Sequence, residues 1–262
     1  MKKKLILIGE SHVSCINNAI NNKYKESISH EWINHCIISD ESEKTGIGIN
    51  KLIVRDIKKS INILCGTNIE ISNEKIQSEI KNNNIKILMI IGGNSHTVLS
   101  LIKLKRPFDF MMVDFNDIQK IKNYELIPYR LIREIMVRRI QVHLNRISFI
   151  EQLIVNNIIN IESPPPPEDN DFILKNLDLY FKKNFTGKIE ITEPSVRFKL
   201  WKLSSAIYAD FCQIKNIQYL KVPECTLKNG MFLERQFYHN ATHANEMYGD
   251  HIIKKIFPDI IL

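Results

Sequence analysis

The sequence is poor in the features that mark disulfide-rich, metal-binding and membrane proteins. It contains only five cysteines, an odd number, and no two of them form a C-x-x-C pair. This pattern argues against a disulfide framework or a thiolate metal site. No apolar run approaches the roughly 20 residues that cross a bilayer, and the run at residues 5–8 is shorter than the core of a signal peptide. We therefore expect a cytoplasmic protein without a membrane span.

Internal repeats are also missing, and low complexity is limited to four consecutive prolines at 164–167 and a bias towards Lys, Asn and Ile. With 44% hydrophobic and 25% charged residues, the composition is that of a folded protein. The formal net charge is +7, but the basic residues do not interleave with aromatic residues as in single-strand binders. We expect a basic solvated surface and no nucleic-acid partner, and the oligomeric state stays open.

Short apolar runs alternate with amphipathic segments along the chain. Runs that predict buried strands lie at residues 5–8, 32–39, 85–91, 154–161 and 217–222. Segments that predict helices lie at 13–22, 72–82, 127–150, 197–216 and 245–257, and residues 49–72 fit either element. The alternation predicts a flavodoxin-like three-layer α/β/α sandwich with five parallel strands. We expect a single domain over residues 1–262, with an insertion at about 105–150.

Polar residues with complementary chemistry follow these predicted elements. Ser11 comes after the first strand, Asn94 follows the strand at 85–91, and His243 stands just before the last helix. In an open parallel sheet the ligand crevice lies beyond the carboxyl ends of the strands, so we expect these side chains to lie together. A serine hydroxyl needs a base to take its proton, and the oxyanion formed on attack needs hydrogen-bond donors. These three residues supply a nucleophile, a base and a donor.

Each of these residues also has a purely structural interpretation. Ser11 fits a helix N-cap, and Asn94 after two glycines fits a turn. His243 fits a half-buried, hydrogen-bonded histidine. The basic segment 127–150 fits either a solvated face or a site for an anionic substrate.

Three blocks of sequence resemble those of one enzyme superfamily. They read Gly9-Glu10-Ser11, Gly92-Gly93-Asn94-Ser95 and Asn240-Ala241-Thr242-His243. In this order the chain resembles the SGNH (GDSL-type) hydrolases, whose corresponding blocks are Gly-Asp-Ser, Gly-x-Asn-Asp and Asp-x-x-His. The surrounding sequence resembles a bacterial SGNH-like subgroup through Gly-Gly-Asn-x-His, Arg106-Pro107-Phe108-Asp109-Phe110, Glu162-Ser163-Pro164-Pro165-Pro166, Lys199-Leu200-Trp201 and Thr242-His243-Ala244-Asn245-x-x-Tyr248-Gly249.

The resemblance implies a serine mechanism that uses no metal and no cofactor. Ser11 would be the nucleophile and His243 the base, while the Ser11 amide and the Asn94 side chain would bind the oxyanion. A glycine amide completes the family's oxyanion hole, and our assignment is Gly66, with Gly46 and Gly48 as alternatives. Further substrate contacts are expected from Glu10, His12, Gly93, His96, Ser163 and Pro164. The implied activity is that of an esterase or O-acyltransferase acting on acetyl or other acyl groups of a carbohydrate or related small molecule.

Three positions depart from the family pattern. Glu10 and Ser95 replace the aspartates of the Gly-Asp-Ser and Gly-x-Asn-Asp blocks, and Asn240 replaces the carboxylate that orients the histidine. Exchange of that aspartate for asparagine in a serine triad can hold the wrong tautomer and lower turnover by about 10⁴. Asn240 could instead orient His243 through its carbonyl, or Glu10 or Asp250 could take the place. The alternative function is a catalytically impaired SGNH-fold module that binds a glycan or a protein partner.

Overall fold

Five parallel strands form the centre of the fold. The computed structural model describes residues 2–112, 120–184 and 188–260. The sheet strands are β1 (Lys3–Gly9), β2 (Ile28–Asn34), β3 (Ile85–Ile90), β4 (Ile158–Ile161) and β5 (Gln218–Leu220). Their order is β2-β1-β3-β4-β5, and every neighbouring pair is parallel. This is the flavodoxin-like order, and the predicted α/β/α sandwich with five parallel strands is confirmed.

Helices occupy the intervals between the sheet strands and follow the last strand. They are α1 (Ser14–Ala19), α2 (His35–Thr45), α3 (Ile49–Cys65), α4 (Ile76–Asn82), α5 (Thr97–Ser100), α6 (Tyr129–Leu153), α7 (Asn170–Lys175), α8 (Leu179–Asn184), α9 (Pro194–Ile214) and α10 (Glu246–Ile256). The five predicted helices are confirmed within a few residues, and the ambiguous segment 49–72 contains α3. None of the described helices is long and apolar enough to cross a membrane.

The two faces of the sheet bury separate groups of helices. Ile6 and Ile8 of β1 pack in the cluster that includes α3, α4 and α6, whereas Leu5 and Leu7 pack in the cluster that includes α1 and α10. All four side chains are fully buried. A strand covered on both faces needs apolar residues at every position, which explains the continuous run at 5–8.

Two strands differ from their predicted bounds. Residues 35–39 were predicted as strand, but β2 ends at Asn34, whose side-chain oxygen accepts the amide N–H of Cys36 at 3.0 Å and caps α2. The prediction for 154–161 begins too early, because α6 continues to Leu153 and Asn156 adopts a left-handed turn with φ 70° before β4. Both corrections arise from asparagines that set a local boundary.

The last helix is held tightly against the first. A Cβ atom on Gly249 of α10 would stand 2.1 Å from the Cys15 carbonyl oxygen of α1, so a larger residue does not fit. Asn245 caps α10, because its side-chain oxygen accepts the amide N–H groups of Met247 (3.0 Å) and Tyr248 (3.3 Å). This packing fixes the loop before α10 beside the end of β1.

The predicted insertion is anchored through a buried ion pair. Within 105–150, residues 113–119 lie outside the described residues, and the described part contains a short parallel pairing of Phe108–Asp109 with Glu125–Leu126. Asp109 pairs with Lys199 of α9, and both side chains are at most 1% exposed. Two of the motifs that carry the subgroup resemblance therefore bind each other. The division of the chain into one domain with an insertion stays a prediction.

Candidate active site

Ser11 and His243 meet at the carboxyl end of the sheet. Ser11 begins a 3-10 turn just after β1, and His243 lies in the loop before α10. Their side chains are 232 positions apart in sequence, yet Ser11 Oγ lies 2.5 Å from His243 Nε2. The first N–H groups of a helical turn have no partner within the turn, so the Ser11 amide is placed to act as a donor.

Asn240 orients the histidine from the other side. Its side-chain Oδ1 accepts the amide N–H groups of Thr242 and His243, each at 2.9 Å, and lies 2.9 Å from His243 Nδ1. Two backbone donors require an acceptor, so the atom facing the ring is the oxygen of Asn240. Nδ1 must then carry the proton, and the Nε2 lone pair faces the serine hydroxyl. Thr242 Oγ1 lies 2.8 Å from the same Nδ1.

The two carboxylates considered as substitutes have other partners. Glu10 Oε2 accepts the amide N–H of Gly92 at 3.0 Å, and Asp250 accepts the Tyr24 hydroxyl at 2.7 Å. In the part of the chain that the structure describes, no carboxylate oxygen lies within 4.0 Å of a His243 ring nitrogen. Asn240 and the Thr242 hydroxyl are therefore the groups that contact His243 Nδ1 in the orienting position.

The electrostatic surroundings keep His243 neutral at neutral pH. Burial lowers the pKa of His243 from its ordinary value of 6.5, the carboxylate of Asp178 opposes this shift, and the nearby His239 adds to it. A lowered pKa leaves the imidazole unprotonated and able to accept a proton from serine. The ring is therefore poised as a base.

Ester hydrolysis that uses His243 as the base should slow as the pH falls into the acid range. Because His243 works in its neutral form and its pKa lies below 6.5, kcat/KM is expected to be constant near neutrality and to decline with a midpoint below pH 6.5. Asp178→Asn should move that midpoint further down, because it removes the charge that raises the pKa of His243. Ester hydrolysis followed from about pH 4.5 to 8.5 measures both effects, and a midpoint above pH 6.5 would count against this base.

Asn94 presents its side-chain amide nitrogen to the region where Ser11 and His243 meet. Its Nδ2 lies 3.5 Å from His243 Nε2, while its Oδ1 accepts from His12 Nε2 at 2.8 Å. His12 is buried, and desolvation, followed by the influence of His243, lowers the pKa of His12 to about 3. A neutral His12 that donates from Nε2 fixes the direction of the Asn94 amide. The donor of Asn94 thus faces the region where an oxyanion would form.

Removal of this donor should slow the chemical step. Asn94→Ala is expected to lower kcat by about 10²–10³, the usual loss for one oxyanion donor, with a smaller change in KM. Steady-state hydrolysis of p-nitrophenyl acetate measures both constants. Asn83→Ala is the matched control, because its side chain bonds only to Glu79 within α4. A kcat within about threefold of wild type would exclude Asn94 from the oxyanion hole.

Two further predicted residues support the loop that carries Asn94. The bond between Glu10 and the Gly92 amide ties the end of β1 to the end of β3, and burial raises the pKa of Glu10. Gly93 packs so closely on His12 that a Cβ atom would lie 2.6 Å from the imidazole ring. Glu10, His12 and Gly93 therefore position the donor of Asn94.

The assignment of Gly66 to the oxyanion hole is corrected by its position. Gly66 ends α3, and its N–H donates to the Ile63 carbonyl at 3.2 Å. The adjacent Cys65 Sγ accepts from Lys4 at the start of β1, at 3.8 Å. Ser11 follows the other end of β1, and a seven-residue strand spans roughly 20 Å. The alternative Gly46 ends α2, where its N–H is bonded to the Ser42 carbonyl.

The other predicted substrate contacts are buried or make hydrogen bonds within the protein. His96 and Pro164 are buried, so substrate cannot reach them from solvent in this structure. The carbonyl of Ser163 accepts the indole N–H of Trp201 at 2.9 Å. Arg197 donates to the carbonyls of Pro167 and Glu168, both at 2.8 Å, and so holds the proline run in place. Substrate contact by Ser163 stays a prediction.

A cavity beside Asn94 is lined in part by α6, the basic segment for which the sequence left open a solvated face or a site for an anionic substrate. Its volume is about 380 Å³, and it is lined by Glu10, Gly92, Asn94, Ser95, Val98, Arg139 and His143. Arg139 and His143 lie four positions apart on α6, so they share one helix face, but their relation to the site depends on how α6 packs. A larger cavity of about 580 Å³ lies at the amino ends of the strands, on the opposite side from Ser11, beside Lys86 and Lys215.

Comparison with known proteins finds distant structural similarity. No protein-family profile and no curated protein matches the chain. A GDSL-like lipase from Bacteroides thetaiotaomicron is 8% identical, with 98% of this chain and 86% of that chain covered and a TM-score of 0.43. A provisionally named acylhydrolase from Bacteroides fragilis is 9% identical, with the same coverage and a TM-score of 0.42. A provisionally named platelet activating factor from Streptococcus pneumonia is 10% identical, with 99% and 84% covered and a TM-score of 0.44.

Proposed function

We propose that the chain is a serine-dependent ester hydrolase or acyltransferase of the SGNH type. The observation that carries the proposal is the continuous path from Asn240 Oδ1 through the His243 ring to Ser11 Oγ, with contacts of 2.9 and 2.5 Å. A hydroxyl, a neutral imidazole and an orienting acceptor in this order are the parts of an activated nucleophile. The resemblance of the three sequence blocks to SGNH hydrolases supports the same function.

The reaction follows from these positions. Ser11 Oγ attacks the carbonyl carbon of an ester while His243 Nε2 takes the hydroxyl proton, and the Asn94 amide and the Ser11 N–H donate to the oxyanion. Collapse of the tetrahedral intermediate breaks the bond to the leaving oxygen, which receives the proton from His243. Water, or the hydroxyl of an acceptor, then attacks the acyl-serine and gives its proton to the same nitrogen. The acid or the new ester leaves, and Ser11 regains its proton.

Asparagine in the orienting position lowers the rate without preventing the reaction. A neutral amide stabilises the imidazolium of the intermediate less than a carboxylate does. The tautomer, however, is held correctly, because Asn240 presents its oxygen to Nδ1 and not its amide hydrogens. The carboxylate of Asp178 raises the pKa of His243 from a distance and partly replaces the missing charge.

The substrate is proposed from the family resemblance. We infer acetyl or other acyl esters of a carbohydrate or related small molecule, processed in the cytoplasm. Whether water or an acceptor hydroxyl resolves the acyl-enzyme decides between hydrolase and transferase.

The test is hydrolysis of p-nitrophenyl acetate by wild type and Asn240→Asp. We expect measurable turnover by the wild type, and an increase of about tenfold or more in Asn240→Asp, because a carboxylate stabilises the imidazolium more strongly. Thermal unfolding of both proteins, measured in parallel, shows whether the variant is folded.

The alternative, a binding module, is favoured by one observation, the missing carboxylate beside His243. It predicts no serine-dependent turnover in either protein. Equal, low rates in the wild type, Ser11→Ala and Asn240→Asp would therefore overturn the hydrolase proposal and support the module.

A further inference from the structure

Helix α6 turns a basic face towards the candidate active site. Arg139, His143 and Arg146 are spaced by four and three residues, so they lie on one side of the helix. Arg139 and His143 line the cavity of about 380 Å³ that also contains Asn94. Because the Asn94 amide lies 3.5 Å from His243 Nε2, a ligand in this cavity would adjoin the reacting group.

Among the described residues, the two arginines of this face form no direct ion pair, although the charge of Glu10 acts on Arg146 from beyond 4.0 Å. Arg139 Nε donates to the Ser95 carbonyl at 3.0 Å, which holds the guanidinium at the cavity wall. Within residues 2–112, 120–184 and 188–260, no carboxylate oxygen lies within 4.0 Å of either guanidinium. Arg146 is only partly exposed, and burial lowers its pKa, although a guanidinium remains charged at neutral pH. The carboxylate of Glu10 opposes this lowering of the Arg146 pKa, whereas Arg139 is exposed and has no carboxylate partner among the described residues.

The remaining ionisable groups do not cancel this charge. Burial, together with Arg146 and Arg139, lowers the pKa of His143 to about 4, and burial lowers the pKa of His35 to about 4, so both rings are neutral. Glu10 is the one carboxylate that lines the cavity, and its Oε2 already accepts the Gly92 amide. Arg139 lines the cavity, and Arg146 lies two turns further along the same helix face, so two guanidinium charges and one carboxylate charge leave this region with a net charge of +1.

We propose that this cavity binds an acidic group of the ester substrate, a carboxylate or a phosphate, with Arg139 as the direct donor and Arg146 as a supporting charge. The proposal rests on the hydrolase function proposed above and narrows its substrate to anionic esters. Guanidinium groups pair with such anions through two parallel hydrogen bonds. The acidic group and the ester would then belong to one substrate molecule, placed across Asn94.

The first test compares two esters of similar length. Mono-p-nitrophenyl glutarate carries a free carboxylate and p-nitrophenyl butyrate carries none, so the ratio of their kcat/KM values measures recognition of the charge. We expect a ratio above one in the wild type, reduced about tenfold in Arg139→Gln and by a smaller factor in Arg146→Gln. Arg138→Gln, which changes a neighbouring arginine that does not line the cavity, should leave the ratio unchanged. A wild-type ratio at or below one, or a ratio unaffected by Arg139→Gln, would overturn the proposal.

The second test does not depend on turnover. Calorimetric titration of Ser11→Ala with glutarate and with inorganic phosphate measures binding of the anion alone, and the tighter ligand identifies the acidic group. Loss of this binding in Ser11→Ala/Arg139→Gln supports the proposal. If Ser11→Ala binds neither glutarate nor phosphate, the proposal is wrong. Binding without any ester hydrolysis by the wild type would show that the hydrolase function is wrong while the anion site stands.

Discussion

Replacement of Ser11 or of His243 by alanine is expected to lower kcat for p-nitrophenyl acetate by about 10⁴. Without Ser11 there is no hydroxyl to attack the ester. Without His243, Ser11 loses the Nε2 atom that lies 2.5 Å from its oxygen and accepts its proton. The hydroxyl then reacts only at its weak intrinsic rate.

The double variant provides the sharper form of this prediction. Residues that act as a unit are strongly non-additive, so Ser11→Ala/His243→Ala should be no slower than either single variant. Ser78→Ala serves as control, because this exposed hydroxyl bonds only to the Lys75 carbonyl. If instead the double variant lowers kcat by the product of the two single-variant factors, the effects are independent. The two residues would then not share one catalytic step.

Breaking the buried ion pair between Asp109 and Lys199 should destabilise the protein by about 3–5 kcal/mol. The Lys199 ammonium also donates to the Phe110 carbonyl at 3.0 Å, and Asp109 accepts the amide N–H groups of Phe110 (2.7 Å) and Ile121 (3.1 Å). Lys199→Met removes the counter-charge and leaves a fully buried carboxylate. The free energy of unfolding, measured by urea denaturation, is the relevant quantity.

A second replacement separates the charge effect from lost packing. In Lys199→Met/Asp109→Asn no buried charge is left alone, so we expect the double variant to regain much of the stability lost in Lys199→Met. Lys103→Met, which breaks an exposed ion pair with Glu190, should have a much smaller effect. The contrary result is a double variant whose loss in the free energy of unfolding equals the sum of the losses in Lys199→Met and Asp109→Asn. The ion pair would then not explain the loss.

The sheet was predictable because its central strands are covered on both faces. Full burial of Leu5, Leu7 and their neighbours forces a continuous apolar run that ends at Gly9, and the same reasoning holds for β3 after Lys86. The end of β2 was not predictable in this way. It depends on a single capping bond, in which Asn34 accepts the Cys36 amide N–H. The apolar residues that follow are compatible with either a strand or a helix.

The candidate site was predictable where a residue type and a strand end coincide. Ser11, Asn94 and His243 each follow or precede a clear element, and the parallel order of the strands brings those ends together. Gly66 shows the limit of this reasoning, because a glycine that ends a helix with φ 64° is indistinguishable in sequence from one that offers its amide to an oxyanion. For the basic segment that forms α6, the sequence left open a solvated face or a site for an anionic substrate, because the direction of that helix face depends on helix packing.

The central claim, that His243 activates Ser11 as a nucleophile, is tested most directly by covalent trapping. The protein is incubated with diethyl p-nitrophenyl phosphate, and peptides are then examined by mass spectrometry. We predict one diethylphosphoryl group on the Ser11 hydroxyl, formed far more slowly in His243→Ala and absent in Ser11→Ala. Failure to label Ser11 in the folded wild-type protein, or labelling that proceeds equally fast without His243, would contradict the mechanism.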